Sequence, residues 1–154
     1  MFKDRLELLA EKHEYDHEMQ ARFDYNRWVG QDWKGMQDLS CQTKACSMGW
    51  ACTIPAFQAL GLSLEYDFDR EYGIITLSNQ DGDFEREEAA AHLFGISKDQ
   101  ALDLFVYGRW VKDSDDRNHD RVTALGMAQA IRSFIQYEGN WAEYYQVELG
   151  PVIF

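Results

Sequence analysis

The sequence predicts a single α+β domain in which helix dominates: about five helices packed with one small antiparallel β-hairpin. Three observations carry that expectation. The chain has 154 residues, 45% of them hydrophobic and 14% aromatic, enough to bury roughly 70% of its unfolded surface without a metal or disulfide staple. Apolar residues recur at three- and four-residue spacing in most of the chain, the signature of amphipathic helices. In one short stretch the period drops to two. No linker, internal repeat or low-complexity tract interrupts residues 1–154, and the only prolines are Pro55 and Pro151, so one domain is expected.

The elements follow in order. Phe2, Leu6, Leu9, His13 and His17 fall on one helical face, with Lys3, Asp4, Glu7 and Glu11 elsewhere on the wheel, which predicts a helix over residues 3–20. Residues 29–42, with Gly30 and Gly35, read as a loop near Trp28 and Trp33. Thr43 is the expected N-cap of a second helix through Ala45, Met48, Gly49, Ala51, Cys52, Ala56, Phe57 and Leu60, closed by Gly61. Leu64, Tyr66 and Phe68 then alternate with Glu65, Asp67 and Asp69, the two-residue period of a strand with one dry and one wet face. After a turn at residues 70–73, Ile74 to Leu77 supply its hairpin partner. Asp83 is the expected cap of a helix through Ala89, Ala90, Leu93 and Phe94 that Gly95 ends, and Asp81-Gly82 reads as a turn. Ser97-Lys98-Asp99-Gln100 is a capping box that opens a helix through Leu102, Leu104 and Phe105. Beyond a charged loop at 112–120, Thr123 caps a last helix whose stripe is Met127, Ala130, Ile131, Phe134 and Ile135, with Gly139 as its stop. Residues 141–154 are aromatic and apolar enough that packing on the domain, or on a second copy as a homodimer, is expected.

Charge limits the partners. Twenty-seven acidic side chains against fifteen basic give a net charge of −12, which repels nucleic-acid phosphates and anionic lipid heads. Direct nucleic-acid binding is not expected. Leu64 to Ala90 alone holds nine acidic residues, Glu65, Asp67, Asp69, Glu71, Asp81, Asp83, Glu85, Glu87 and Glu88, against Arg70 and Arg86, or −7 of the total. Neither a signal peptide nor a membrane-spanning run is read in the sequence, and the three cysteines suggest reduced thiols, so a cytoplasmic location is expected.

Several segments touch on catalytic chemistry. His13-Glu14-Tyr15-Asp16-His17 matches H-E-x-x-H; on a continuous helix both imidazoles share a face and could hold zinc while the glutamate activates water. Against a hydrolase stand the charge at Asp16, the short stretch before the motif, and the lack of an evident third ligand beyond the isolated His92 and His119. Cys41, Cys46 and Cys52 are spaced C-x4-C-x5-C, unlike paired zinc-binding cysteines, and read as buried thiols. Cys41, just before the helix, is the position where a helix N-terminus could activate a thiolate. A calcium loop through Asn79, Asp81, Gly82 and Glu88 fails because its first ligand position falls on Leu77. No phosphate-cradling glycine loop is present, and no cofactor is expected.

Phe23-Asp24-Tyr25-Asn26-Arg27-Trp28, followed by Cys41-Gln42-Thr43-Lys44-Ala45-Cys46-Ser47-Met48-Gly49-Trp50-Ala51, resembles a group of small uncharacterised bacterial and phage proteins that carry F-D-M-x-x-W and then C-G-T-x-x-C-x-x-G-W-A. Ala89 to Ser97 and Val122-Thr123 are similar in kind. The sequence departs from the group at Tyr25 and Gln42. The resemblance implies a bacterial or phage origin and a packed helix start around Gly49, and implies no activity.

The function expected from these features is that of an acidic, non-catalytic binding protein, a phage-encoded inhibitor of a host protein that competes for a basic surface. Its candidate contact residues are Glu65, Asp67, Asp69, Glu71, Asp81, Asp83 and Glu85. Carboxylates at Glu65, Asp67 and Asp69 on one strand face would recur about every 6.7 Å, not far from the spacing of phosphates along a nucleic-acid strand, which makes DNA mimicry a specific form of the expectation. The alternative is a zinc-dependent hydrolase using His13, Glu14 and His17. The bland reading is that an acidic face only keeps the domain in solution.

Overall fold

A computed structural model describes residues 1–25, 45–69, 72–107, 110 and 122–140. Trp28, Trp33, Cys41, the expected cap Thr43, Glu71, the loop 112–120 and the stretch 141–154 lie outside the described residues.

The first helix, α1 (Lys3–Tyr15), buries Leu6, Leu9, Ala10 and His13, a stripe at the three- and four-residue spacing read from the sequence. It does not run on to residue 20. Asp16 is extended (φ −91°, ψ 103°), and its carboxylate accepts a hydrogen bond from the Met19 amide at 3.0 Å, capping a separate helix α2 (His17–Arg22). Lys12 pairs with the same carboxylate. A short acidic side chain that can bond to nearby backbone competes with helix continuation, and here it wins.

A second expected helix is likewise divided. Ser47–Ala51 forms α3 and Pro55–Ala59 forms α4. Pro55 sits at the first helical position of α4, where its missing N–H costs nothing, and it holds Ile54 extended (ψ 117°). Gly61 ends this region with φ +100°. A Cβ on Gly61 would stand 1.9 Å from the Ser78 carbonyl oxygen, so only glycine lets the chain pass this close to the sheet.

The sheet has three antiparallel strands in the order β1 (Leu62–Asp67), β2 (Tyr72–Asn79), β3 (Gly82–Glu85). The expected hairpin is β1–β2; β3 is additional. Asp83 is a strand residue and not a helix cap, because the chain turns at Gln80-Asp81, one residue before the expected Asp81-Gly82, in a tight second hairpin that pairs Asn79 with Gly82 and Leu77 with Phe84. Leu62, Leu64, Ile75 and Leu77 are buried, with Leu62 opposite Leu77 and Leu64 opposite Ile75, and they make the core face with half-buried Phe84. Phe68 does not join them. It lies past the end of β1 and is 83% exposed, because the chain has already begun to turn.

From β3 the chain enters α5 (Arg86–Phe94), which packs on β2 and β3 and ends at Gly95 in the left-handed region (φ 64°). Ser97 and Gln100 form the expected capping box at the start of α6 (Lys98–Leu102), which runs into a π-helical turn at Asp103–Tyr107. Thr123 caps α7 (Ala124–Gln136), whose Met127, Ala130, Ile131 and Phe134 are buried; α7 packs along α1. The Gly139 amide donates to the Phe134 carbonyl at 2.8 Å and closes the helix as expected. Two bonds lock the N-terminus to the end of α5: the Phe2 amide to the Phe94 carbonyl, and the Arg5 guanidinium to the Leu93 carbonyl, both at 2.7 Å. The fold is thus α+β with helix dominant, and seven α-helices are present among the described residues. None of those helices is long and apolar enough to cross a membrane.

Candidate functional site

Strand register decides where the acidic residues stand. Glu65 lies opposite Ile74 and Asp67 opposite Tyr72, while Glu85 lies opposite Thr76 and Asp83 opposite Ser78. Directly paired residues share a sheet face, so all four carboxylates belong to the face turned away from Leu64, Ile75 and Leu77. Projected on β2, they fall at positions 72, 74, 76 and 78. One edge strand supplies the first two and the other edge strand the last two.

The result is a diagonal stripe whose members advance about 6.7 Å per step along the sheet and shift about 9.5 Å sideways, two strand spacings, between Glu65 and Glu85. Glu65, Asp83 and Glu85 are exposed and Asp67 is partly so. Exposed Asp69 and Asp81 sit in the turns at either end; the Asp69 amide bonds to the Asp67 carboxylate at 2.9 Å and the Asp81 amide to the Asn79 side chain at 2.8 Å. Asp69 therefore does not extend the β1 spacing of Glu65 and Asp67, as the sequence suggested. Ile74 and Thr76, on the same face of the central strand, are buried at 6% exposure each, so that face is wet at its edges and not at its centre. Glu87 and Glu88 are drawn instead to Lys98, at 4.0 and 3.4 Å.

The H-E-x-x-H segment is taken apart by the break at Asp16. His13 is fully buried. Its Nδ1–H donates to the Leu9 carbonyl and its Nε2 accepts from the Ser47 hydroxyl, each at 2.7 Å. Burial, opposed by the bond to Leu9, pushes its pKa down to about 4, so the ring is neutral and both nitrogens are engaged at pH 7. Glu14 pairs with Arg132 on α7, and His17 is exposed at the start of α2. The two imidazoles do not share a helix face, contrary to expectation, because the helix that would align them ends between them. Among the described residues no three His, Cys, Asp or Glu side chains are grouped to hold a metal ion.

Cys46 and Cys52 are buried free thiols. Burial pushes the Cys46 thiol up to about 11 and raises Cys52 as well, so neither is a thiolate nucleophile at neutral pH. Cys41 lies outside the described residues.

No family model, curated protein or solved structure matches this chain. Its two motif segments nevertheless meet in space. Phe23 bridges Ala45, with the Asp24 amide donating to the Ala45 carbonyl at 2.9 Å and the Ala45 amide to Arg22 at 3.2 Å. Ser47, two residues on, then reaches His13. Sequence reasoning missed Ser47, since a serine at a helix start reads only as polar; it also missed that β3 carries Asp83 and Glu85 into line with β1, a pairing of residues that no local pattern encodes.

Proposed function

We propose that this chain is a non-catalytic binding protein, a phage or bacterial inhibitor that occupies a basic surface of a host protein with the acidic face of its sheet. The supporting observation is the register that sets Asp67, Glu65, Glu85 and Asp83 in successive two-residue steps along one face. Within each edge strand the two carboxylates, about 7 Å apart, lie within a Debye length of roughly 8 Å at physiological ionic strength, so their fields add, whereas Glu65 and Glu85, on opposite edges about 12 Å apart, are partly screened from each other. A partner with a matching row of Lys or Arg gains mainly in association rate and orientation. DNA mimicry is the narrower form of the proposal, with the stripe standing in for a run of phosphates on a nucleic-acid-binding host protein. The resemblance of the motif segments to small bacterial and phage proteins supports a bacterial host as the source of that partner.

Affinity capture from a bacterial lysate, followed by mass spectrometry, tests this when run with the natural chain and with a variant carrying Glu65→Ser, Asp67→Ser, Asp83→Ser and Glu85→Ser. A basic protein retained by the first and lost by the second is the expected result. Equal capture by both would remove the stripe from the binding surface.

A further inference from the structure

Away from the sheet, the break at Asp16 creates a hollow that the acidic stripe does not use. Leu8, Glu11, Lys12 and Tyr15 recur at three-, four- and seven-residue spacing on one face of α1 and line one wall. Because the chain turns at Asp16, the first residues of α2, His17 and Glu18, line the hollow too, and Ile54 and Pro55 from the α3–α4 junction complete it. Its volume is about 580 Å³ and it is wide open to solvent. Small-molecule sites of similar volume enclose most of their ligand; an open trough fits a segment of polymer laid along it.

The chemistry of the lining sets which polymer. Leu8, Tyr15, Ile54 and Pro55 give apolar surface, and Tyr15 is 74% exposed although it is large and aromatic. The rim carries more acid than base: Glu11 and Glu18 are exposed, Glu18 with Arg22 at 3.5 Å beside it, and Lys12, the lysine of the lining, is paired with Asp16. We infer that this groove docks a basic amphipathic helix of a partner protein, an apolar side chain seated beside Tyr15, Ile54 and Pro55 and flanking Lys or Arg residues facing Glu11 and Glu18. Helix-in-groove recognition of this kind places apolar anchors in the trough and leaves the charges at its edges. The inference goes beyond the acidic stripe and involves a different surface.

The test uses the full chain and a fluorescent peptide of leucine and lysine patterned as an amphipathic helix, with affinity read by anisotropy. Because any cationic peptide is attracted to a protein of charge −12, the decisive variants are uncharged. Tyr15→Ser is expected to weaken binding about fivefold or more, the loss typical of an aromatic anchor, whereas Phe68→Ser, which removes an equally exposed ring elsewhere, is expected to change it less than about twofold. Thermal melts confirm that both variants fold, since both side chains are mostly exposed. Equal effects of the two variants, or no binding of the peptide to the natural chain, overturns the groove. Loss of binding only in the four-serine sheet variant would also overturn it while leaving the stripe in place; loss with Tyr15→Ser but not with Phe68→Ser upholds the groove whatever becomes of the stripe.

Discussion

The Ser47 hydroxyl stands 2.7 Å from His13 Nε2, across 34 residues of sequence, in a position closed to solvent. A neutral imidazole with its other nitrogen on Leu9 is the form that satisfies every polar atom of the pair. The contact joins α1 to the start of α3 and so fixes the motif-bearing segment to the helical core.

This buried ring makes stability depend on mild acid. Its pKa is about 4 in the folded protein against 6.5 for the free side chain, so the unfolded chain takes up a proton first as pH falls. Above pH 6.5 the ring costs nothing; between there and pH 4 folding loses up to about 3 kcal/mol from this residue. Urea denaturation at pH 7.5 and 4.5 should show that loss in the natural chain, and a smaller one in His13→Gln. An identical pH dependence in both would show that His13 is not held neutral.

Zinc offers a second check. With both His13 nitrogens bonded and His17 beyond the helix break, titration of zinc by calorimetry should give no stoichiometric tight site that depends on residues 13 and 17, and His17→Ala should leave any heat unchanged. Glu14→Gln removes only a partly exposed ion pair with Arg132 and is expected to cost less than about 1 kcal/mol. A tight site of one zinc per chain, lost in His17→Ala, would restore the hydrolase.

Two glycines should respond in opposite directions to alanine. Gly61→Ala sets a Cβ 1.9 Å from a backbone oxygen at φ +100°, and a loss of about 3 kcal/mol or more is expected because both strain and overlap oppose it. Gly126 lies in the first turn of α7 with only ordinary contact to Thr123 at 3.4 Å; Gly126→Ala is expected to add up to about 1 kcal/mol through helix propensity. Melting temperatures measured side by side decide both.

The acidic stripe makes a prediction about salt. For whichever basic partner is captured, raising the salt from about 0.1 to 0.5 M should weaken binding of the natural chain by about tenfold or more, chiefly by slowing association. In the four-serine variant the same change should have little effect. Since Leu62, Leu64, Ile75 and Leu77 on the opposite face are untouched, the variant should melt within a few degrees of the natural chain. Salt-independent affinity in the natural chain would reduce the charge to solvation.

Local pattern was sufficient where the responsible forces are local. The capping box at Ser97, the cap at Thr123, the stops at Gly95 and Gly139, and the stripes of α1 and α7 are each written within a few consecutive residues, because helix ends and helix faces depend on neighbours one turn away. The same holds for the β1–β2 hairpin, whose change of period is visible at Leu64 to Asp67. Pro55 also stood in the sequence as a reason to divide the second helix, and the apolar run around it concealed that. Asp16 was a harder case, since an acidic residue inside a helical pattern either faces solvent or caps a new helix, and only the packing of Met19 under α2 selects the second. His13 is legible as a core position from its spacing, but its hydroxyl partner at Ser47 depends on how α3 docks. Least legible was the acidic face. Composition located the excess of carboxylates, yet their alignment follows from pairing β2 with strands on both sides, and strand register is set by burial of Leu62, Leu77 and Phe84 on the far side of the sheet. The sequence alone determined how much negative charge this region carries; the tertiary structure decided that Asp67, Glu65, Glu85 and Asp83 share one face as two offset pairs on opposite edges of the sheet, because residues on separate strands are brought into order only by the core they share.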